Sequence, residues 1–69
     1  MEKLPQIESV LLSTYEAARY LGISAGTMTN WRNRKEGPPY IKIGSRVRYR
    51  LEDLKAWIVE RRIEVKEED

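Results

Sequence analysis

The sequence predicts a small α+β domain, mostly helical, in which two short helices precede a β-hairpin and a third helix. Three observations support this fold class: a helix-capping pattern at residues 13–16, alternating apolar and charged residues between positions 40 and 50, and an apolar stripe at helical spacing after residue 51. A chain of 69 residues has room for one domain. We expect a flexible lead-in over residues 1–10, a folded domain over 11–66, and a disordered acidic tail over 67–69.

The first two helices are marked by their caps. Residues 13–16, Ser-Thr-Tyr-Glu, form a capping box, in which the first side chain and the last each bond the other residue's backbone amide. They predict a helix from about residue 14 to Leu21, closed by Gly22. Ser24 is the next N-cap and predicts a second helix to about Arg34. Residues 37–39, Gly-Pro-Pro, then require an irregular connection.

Residues 40–50 alternate like two short strands around a turn at Gly44. A two-residue loop would mix apolar and charged side chains on each face of the hairpin. A three-residue loop, residues 44–46, separates them, and we therefore predict it. Its pairs are Ile43 with Val47 and Ile41 with Tyr49, and its basic face holds Lys42, Arg48 and Arg50.

The last helix is predicted from about Leu51 to Lys66, with two acids, Glu52 and Asp53, in its first turn, where the helix dipole favours them. Its apolar stripe consists of Leu54, Trp57, Ile58 and Val65. The phases of the second and third helices place both Trp31 and Trp57 in the core.

The net charge of +2 hides an uneven distribution. Residues 19–50 hold eight basic residues against one acid, whereas residues 1–18 and 51–69 are both net acidic. A basic block between acidic ends is the electrostatic pattern of polyanion binding. A solvated surface of mixed salt pairs is the alternative that charge alone leaves open.

Several function classes are excluded or disfavoured. Cys and His are absent, so disulfides, thiolate or imidazole metal sites and the commonest general base are excluded. We interpret the adjacent Glu52 and Asp53 as helix-dipole partners and expect neither an enzyme nor a cofactor. No apolar run approaches a membrane span or the core of a signal peptide, so we expect a soluble, cytoplasmic and nucleoid-associated protein.

Residues 14–31 have the pattern of a DNA-type helix-turn-helix. Apolar residues of the pattern are Ala17, Leu21, Ile23, Met28 and Trp31, and the last four would fill the wedge between the two helices. Small residues stand at the close crossing, Ala18, and at the turn, Gly22. An ordinary helical hairpin is the alternative, and the basic hairpin that follows favours the DNA-binding type.

With Met28 and Trp31 facing inward, the outward positions of the second helix are Gly26, Thr29, Asn30 and Asn33, with Thr27 and Arg34 at the flanks. Amides and hydroxyls of this kind suit a major-groove reader, since asparagine can bond adenine through two hydrogen bonds. Two interpretations of Gly26 stay open: it allows close approach to a phosphate, or it is tolerated in a first turn.

Five segments of the chain carry a family resemblance: residues 11–18, 21–24, 37–40, 43–49 and 52–57. Together they resemble the excisionase and AlpA-type small DNA-binding proteins over residues 11–60. The resemblance implies a MerR-like winged helix-turn-helix, with a recognition helix over residues 24–34 in the major groove and a wing over residues 40–50 on phosphates or the minor groove. One departure is Ala25-Gly26, where family members often carry a basic residue, so the target sequence is not predicted.

Geometry and resemblance together predict a set of polar and basic DNA-binding residues: Ser24, Thr27, Thr29, Asn30, Arg32, Asn33, Arg34, Lys35, Lys42, Ser45, Arg46, Arg48 and Arg50. The resemblance implies an excisionase, a recombination directionality factor of a mobile element that recruits an integrase or recombinase to double-stranded DNA. The alternatives are a small phage or plasmid transcription regulator and a protein-interaction module such as an antitoxin.

Because the last helix is too short for a long coiled coil, we expect a monomer that assembles cooperatively on DNA.

Overall fold

A computed structural model describes residues 10–65 of the chain. These residues form three helices and a three-stranded antiparallel sheet. In chain order the elements are β1 (Leu11–Leu12), α1 (Thr14–Leu21), α2 (Ala25–Asn33), β2 (Ile41–Ile43), β3 (Arg46–Arg50) and α3 (Leu51–Glu60). The α+β class and the order of the helices and hairpin are as predicted. Residues 1–9 of the expected lead-in, Lys66 at the expected end of the last helix, and the acidic tail lie outside the described residues.

Both ends of α1 are confirmed. The Ser13 hydroxyl accepts a hydrogen bond from the Glu16 amide at 3.1 Å, and the Glu16 carboxylate accepts one from the Ser13 amide at 2.8 Å. At the other end Gly22 takes a left-handed conformation, and the amides of Gly22 and Ile23 donate to the Arg19 and Ala18 carbonyls. These bonds satisfy backbone groups that a helix leaves open at its ends.

The amide and hydroxyl of Ser13, helped by the charge of Arg48, hold the pKa of Glu16 below its ordinary value of 4.5. A carboxyl whose pKa falls on folding stabilises the folded state above its unfolded pKa, and the stabilisation is lost as the pH falls through the folded pKa. We therefore expect Glu16→Gln to lower the melting temperature at pH 7, and we expect this deficit to shrink as the pH is lowered below 4.5. Thermal melts over a series of pH values, with Glu36→Gln as the control, test this; a deficit that does not shrink as the pH falls would contradict it.

The second helix also begins as predicted and stops one residue early. The Ser24 hydroxyl accepts from the Thr27 amide at 3.1 Å and shares a hydrogen bond with the Thr27 hydroxyl at 2.9 Å. Beyond Asn33 the chain turns out of the helix through Lys35, which has a positive φ of 58°. The amides of Lys35 and Glu36 donate to the Arg32 and Trp31 carbonyls, which is the same exit that Gly22 makes after α1.

Lys35 occupies a backbone position where glycine is usually found, since a Cβ costs roughly 1 kcal/mol or more in the left-handed region. We expect Lys35→Gly to raise the unfolding free energy by about 0.5–1 kcal/mol. Lys55→Gly in the middle of α3 should lower it by about 1 kcal/mol. Urea unfolding of both variants checks this contrast, and a loss of stability in both would contradict the left-handed exit.

The predicted register of the hairpin is wrong. The strands join through a two-residue loop, Gly44-Ser45, which places Ile43 opposite Arg46, Lys42 opposite Val47, and Ile41 opposite Arg48. Gly44 has a φ of 62°, and no positive φ occurs at Ser45, which fits a type II′ turn with glycine at its first loop position. The turn preference outweighs the separation of apolar and charged side chains because Ile43 and Arg46, the residues on either side of the turn, are both exposed. Lys42 therefore lies on the opposite face from Arg48 and Arg50.

A third strand, β1, was not predicted. Leu11 pairs with Arg50 and Leu12 with Tyr49, so β3 is the central strand of the sheet. The Leu51 amide also donates to the Val10 carbonyl at 2.8 Å. A strand of two residues is too short to show a periodicity in the sequence. The pairing of β1 with β3 joins the base of the hairpin to the chain just before α1.

The third helix is shorter than predicted and ends at Glu60. Leu54 is fully buried, whereas Ile58 is 42% exposed and Val65 is 84% exposed. The described residues after Arg61 are not helical, because Ile63 and Val65 have no core to pack against. The apolar periodicity of the sequence therefore continues beyond the point where the core offers a surface for the apolar side chains of α3.

The core is built from five buried residues: Ala17, Ala18, Met28, Tyr49 and Leu54. Trp31 packs against this core and is half-buried. Trp57 is also half-buried, but it lies against the Trp31 ring, with centroids 5.5 Å apart, and beneath the Arg61 guanidinium at 4.0 Å. The expectation that Trp57 anchors the core is thus wrong, since Leu54 takes that place. No helix in residues 10–65 is long and apolar enough to cross a membrane.

Candidate nucleic-acid interface

The outer face of α2 is polar and accessible. Met28 is fully buried, while Gly26, Asn30 and Asn33 are exposed and Thr29 is half-buried. Helical geometry therefore presents both asparagine amides on the side of α2 that points away from the core. The predicted phase of this helix is confirmed.

Beside that face, an open groove runs between the start of α1 and α2. It is lined by residues of both helices: Thr14, Tyr15, Ala25, Gly26, Thr29, Asn30 and Arg32. Sequence reasoning missed Tyr15, whose ring is 77% exposed in the first turn of α1. The available signal was a bulky aromatic placed beside, and not on, the apolar stripe of Ala17 and Leu21.

The predicted basic residues differ in accessibility. Arg34 and Lys35 are exposed just after α2, and Arg46 is exposed at the start of β3 beside the exposed Ser45 of the turn. Lys42 is exposed on the other face of the hairpin. Arg34, Lys35 and Arg46 thus place three accessible cations at the end of the polar helix and at the hairpin tip.

Two further arginines of β3, Arg48 and Arg50, are half-buried. The Arg48 guanidinium donates to the Val47 carbonyl at 2.7 Å, and its charge acts on Glu16 at the start of α1. Ser24 and Thr27, which were also predicted to bind, have hydroxyls that bond each other at the start of α2. The Ser24 side chain caps that helix, and the Thr27 hydroxyl is bonded to it.

Arg32 reaches from α2 to the hairpin, and it also lines the groove beside the outer face of α2. It is half-buried, and its Nη1 donates to the Tyr49 hydroxyl at 3.0 Å and to the Thr14 hydroxyl at 3.3 Å. Its guanidinium lies 5.8 Å from the centre of the Tyr40 ring. Arg32 is therefore part of the packing between elements, a position that helical phase alone did not indicate.

Two ion pairs among residues 10–65 lie at the C-terminal end, where Arg61 meets Glu60 and Arg62 meets Glu64. In that part of the chain no carboxylate lies within ion-pair distance of Arg34, Lys35 or Arg46. The mixed salt pairs that charge composition left open do not form at these three cations. Their positive potential is available to an anion from outside the chain.

Comparison with known proteins adds one finding. A family model described as a helix-turn-helix domain matches residues 11–62, from the first residue of β1 to just beyond α3. No curated protein matches the chain. The matched range includes every helix and strand of residues 10–65.

Proposed function

The chain belongs to the helix-turn-helix domain family of AlpA and excisionase-type small DNA-binding proteins, and from this premise we propose that it reads double-stranded DNA with α2 in the major groove and the hairpin on the backbone or minor groove. The family supports DNA binding. The assignment of base reading to α2 and of backbone or minor-groove contact to the hairpin is our inference from the residues that each of them exposes.

One observation carries the proposal: α2 exposes two amides along its outer face, and accessible cations that have no carboxylate partner among residues 10–65 stand at its end and at the hairpin tip. Asn30 and Asn33 can hydrogen-bond base edges, which differ between base pairs in the major groove. Arg34, Lys35 and Arg46 can neutralise phosphates, which position the protein without reading sequence. A protein-interaction module would present apolar side chains on α2 in their place.

The corrected hairpin register supports a contact with the minor groove. The two-residue loop places Ile43, 52% exposed, directly opposite Arg46, so a cation and an apolar side chain project together from the hairpin tip. A narrow minor groove attracts cations, and its walls accept apolar contact. This pair is therefore a better fit to a groove than an all-basic face would be.

The biological role that we propose is that of an excisionase, acting with an integrase or recombinase on the DNA of a mobile element. Family membership is the support for this role, and a small phage or plasmid transcription regulator would use the same DNA-binding surface. The chain would act in the cytoplasm at the nucleoid. With ten residues, α3 is too short for a coiled coil, which supports a monomer that assembles cooperatively along DNA.

The proposal predicts different effects for the reading helix and the hairpin. On a duplex selected from a random pool, Asn30→Ala or Asn33→Ala should each lose about 1–3 kcal/mol of binding free energy, and much less on a scrambled duplex. Arg46→Ala and Lys35→Gly should weaken both duplexes by similar factors, because phosphate contacts carry little base identity. Fluorescence anisotropy titrations on the two duplexes measure both effects.

Lys55→Ala provides the matched control, since Lys55 is an exposed cation on α3 outside the proposed interface. Its affinity for both duplexes should equal that of the parent. If the Arg46 and Lys35 variants lose sequence preference while the asparagine variants bind normally, the roles of helix and hairpin are reversed. If the pool yields no preferred duplex at all, sequence-specific reading is ruled out.

A further inference from the structure

We propose that Arg32 is a positioning residue, which fixes the hairpin relative to α2 and acts on DNA through the hairpin. This inference rests on the proposed function for its effect on DNA. The clasp itself, defined here as Arg32 with Tyr49, Thr14 and Tyr40, is a feature of the free protein.

The clasp joins separate elements through one side chain. Arg32 lies in the last turn of α2, Tyr49 lies in the central strand, and Thr14 is the first residue of α1. Nη1 of Arg32 donates to both hydroxyls, at 3.0 Å and 3.3 Å. Hydrogen bonds from a charged donor are stronger than those between neutral groups, so these contacts restrain the hairpin relative to both helices.

The tyrosines give the clasp a rigid base. The Tyr49 side chain is 1% exposed and belongs to the core, so its hydroxyl has little freedom to move. Tyr40, which precedes β2, has its ring centre 6.0 Å from that of Tyr49 and 5.8 Å from the Arg32 guanidinium. Arg32 therefore contacts both sides of the hairpin's base, one through a hydroxyl and one through an aromatic face.

The alternative role for Arg32 is direct contact with a phosphate. Two observations favour positioning: its Nη1 is already shared between two hydroxyls, and its side chain is half-buried whereas those of Asn30 and Asn33 are exposed. No carboxylate in residues 10–65 lies within ion-pair distance of Arg32. The Arg32 guanidinium thus contacts neutral hydroxyl oxygens and an aromatic face, which leave its positive charge intact. That charge raises the electrostatic potential around α2.

Tyr49→Phe tests the clasp because it keeps the buried ring and removes the hydroxyl that Arg32 bonds. The matched control is Tyr20→Phe, which removes a hydroxyl from a tyrosine on α1 that is 46% exposed. In the free protein we expect the ¹⁵N order parameters of residues 43–47 to fall in Tyr49→Phe and to stay unchanged in Tyr20→Phe, with α1 unaffected in both. Unchanged order parameters at residues 43–47 in Tyr49→Phe would overturn the clasp whether or not the chain binds DNA.

The second measurement asks whether the clasp acts on DNA. The loss of affinity caused by Arg46→Ala is measured in the parent and again in the Tyr49→Phe background, as a double-mutant cycle. We expect a loss of about tenfold in the parent, for one phosphate contact near 0.1 M salt, and about threefold or less with the hydroxyl removed. An equal loss in both backgrounds would show that the hairpin binds without the clasp and would overturn the positioning role. If Arg46→Ala does not change the affinity of the parent for DNA, the proposed contact between the hairpin and DNA is refuted. The order parameters of the free protein then remain the test of the clasp.

Discussion

Leu54→Ala is expected to leave the domain largely unfolded at 25 °C. Leu54 has no exposed surface and is one of the five residues that form the core. Replacing a buried leucine by alanine costs about 2–5 kcal/mol, as lost burial and as a cavity. A domain this small has a total stability of only a few kcal/mol, so the substitution removes most of it. Urea unfolding followed by circular dichroism measures the loss.

Val59→Ala is the matched control for this prediction. Val59 lies on the same helix and is 66% exposed, so its truncation should change the unfolding free energy by less than about 0.5 kcal/mol. If Leu54→Ala and Val59→Ala unfold at the same urea concentration, α3 does not dock on the core through Leu54.

Affinity for duplex DNA is expected to fall about 10²–10³-fold or more between 50 and 200 mM salt. Each phosphate that a basic side chain neutralises releases counterions, so five or six contacts give a log–log slope of roughly −4 to −6. Six of the eight basic residues of the block are candidates for these contacts: Arg34, Lys35, Lys42, Arg46, Arg48 and Arg50. Anisotropy titrations at four salt concentrations determine the slope.

Two variants show whether this slope comes from the proposed interface. Arg46→Ala should reduce its magnitude by about one, because Arg46 is accessible at the hairpin tip. Arg61→Ala should leave it unchanged, because Arg61 pairs with Glu60 and lies over the Trp57 ring. Binding that is insensitive to salt would contradict a phosphate interface and would favour the protein-interaction alternative.

What could be predicted from the sequence depends on how local the determining contacts are. The ends of α1 and the start of α2 are set by side chains within three residues of the cap, as Ser13 with Glu16 and Ser24 with Thr27 show. The inward face of α2 follows from helical periodicity, which placed Met28 correctly. These features need no knowledge of the rest of the chain.

The features that were missed depend on distant partners. The pairing of β1 with β3 joins residues far apart in sequence, and α3 ends where the core it could pack against ends. The hairpin register differs from the prediction because the turn preference of Gly44 outweighs the placement of apolar and basic side chains on different faces. The bonds of Arg32 to Tyr49 and Thr14 come from tertiary packing, which the residue type and helical phase of Arg32 do not indicate.

The most direct test of the DNA-binding account is to titrate ¹⁵N-labelled protein with the selected duplex and to map the amide shift changes. We predict the largest changes at residues 26–35 and 43–48, with small changes on the outer side of α3, where Lys55, Val59 and Glu60 are exposed. Changes concentrated on α3 and residues 61–65, with α2 and the hairpin unaffected, would contradict the central claim that the helix and the hairpin together form the DNA-binding surface.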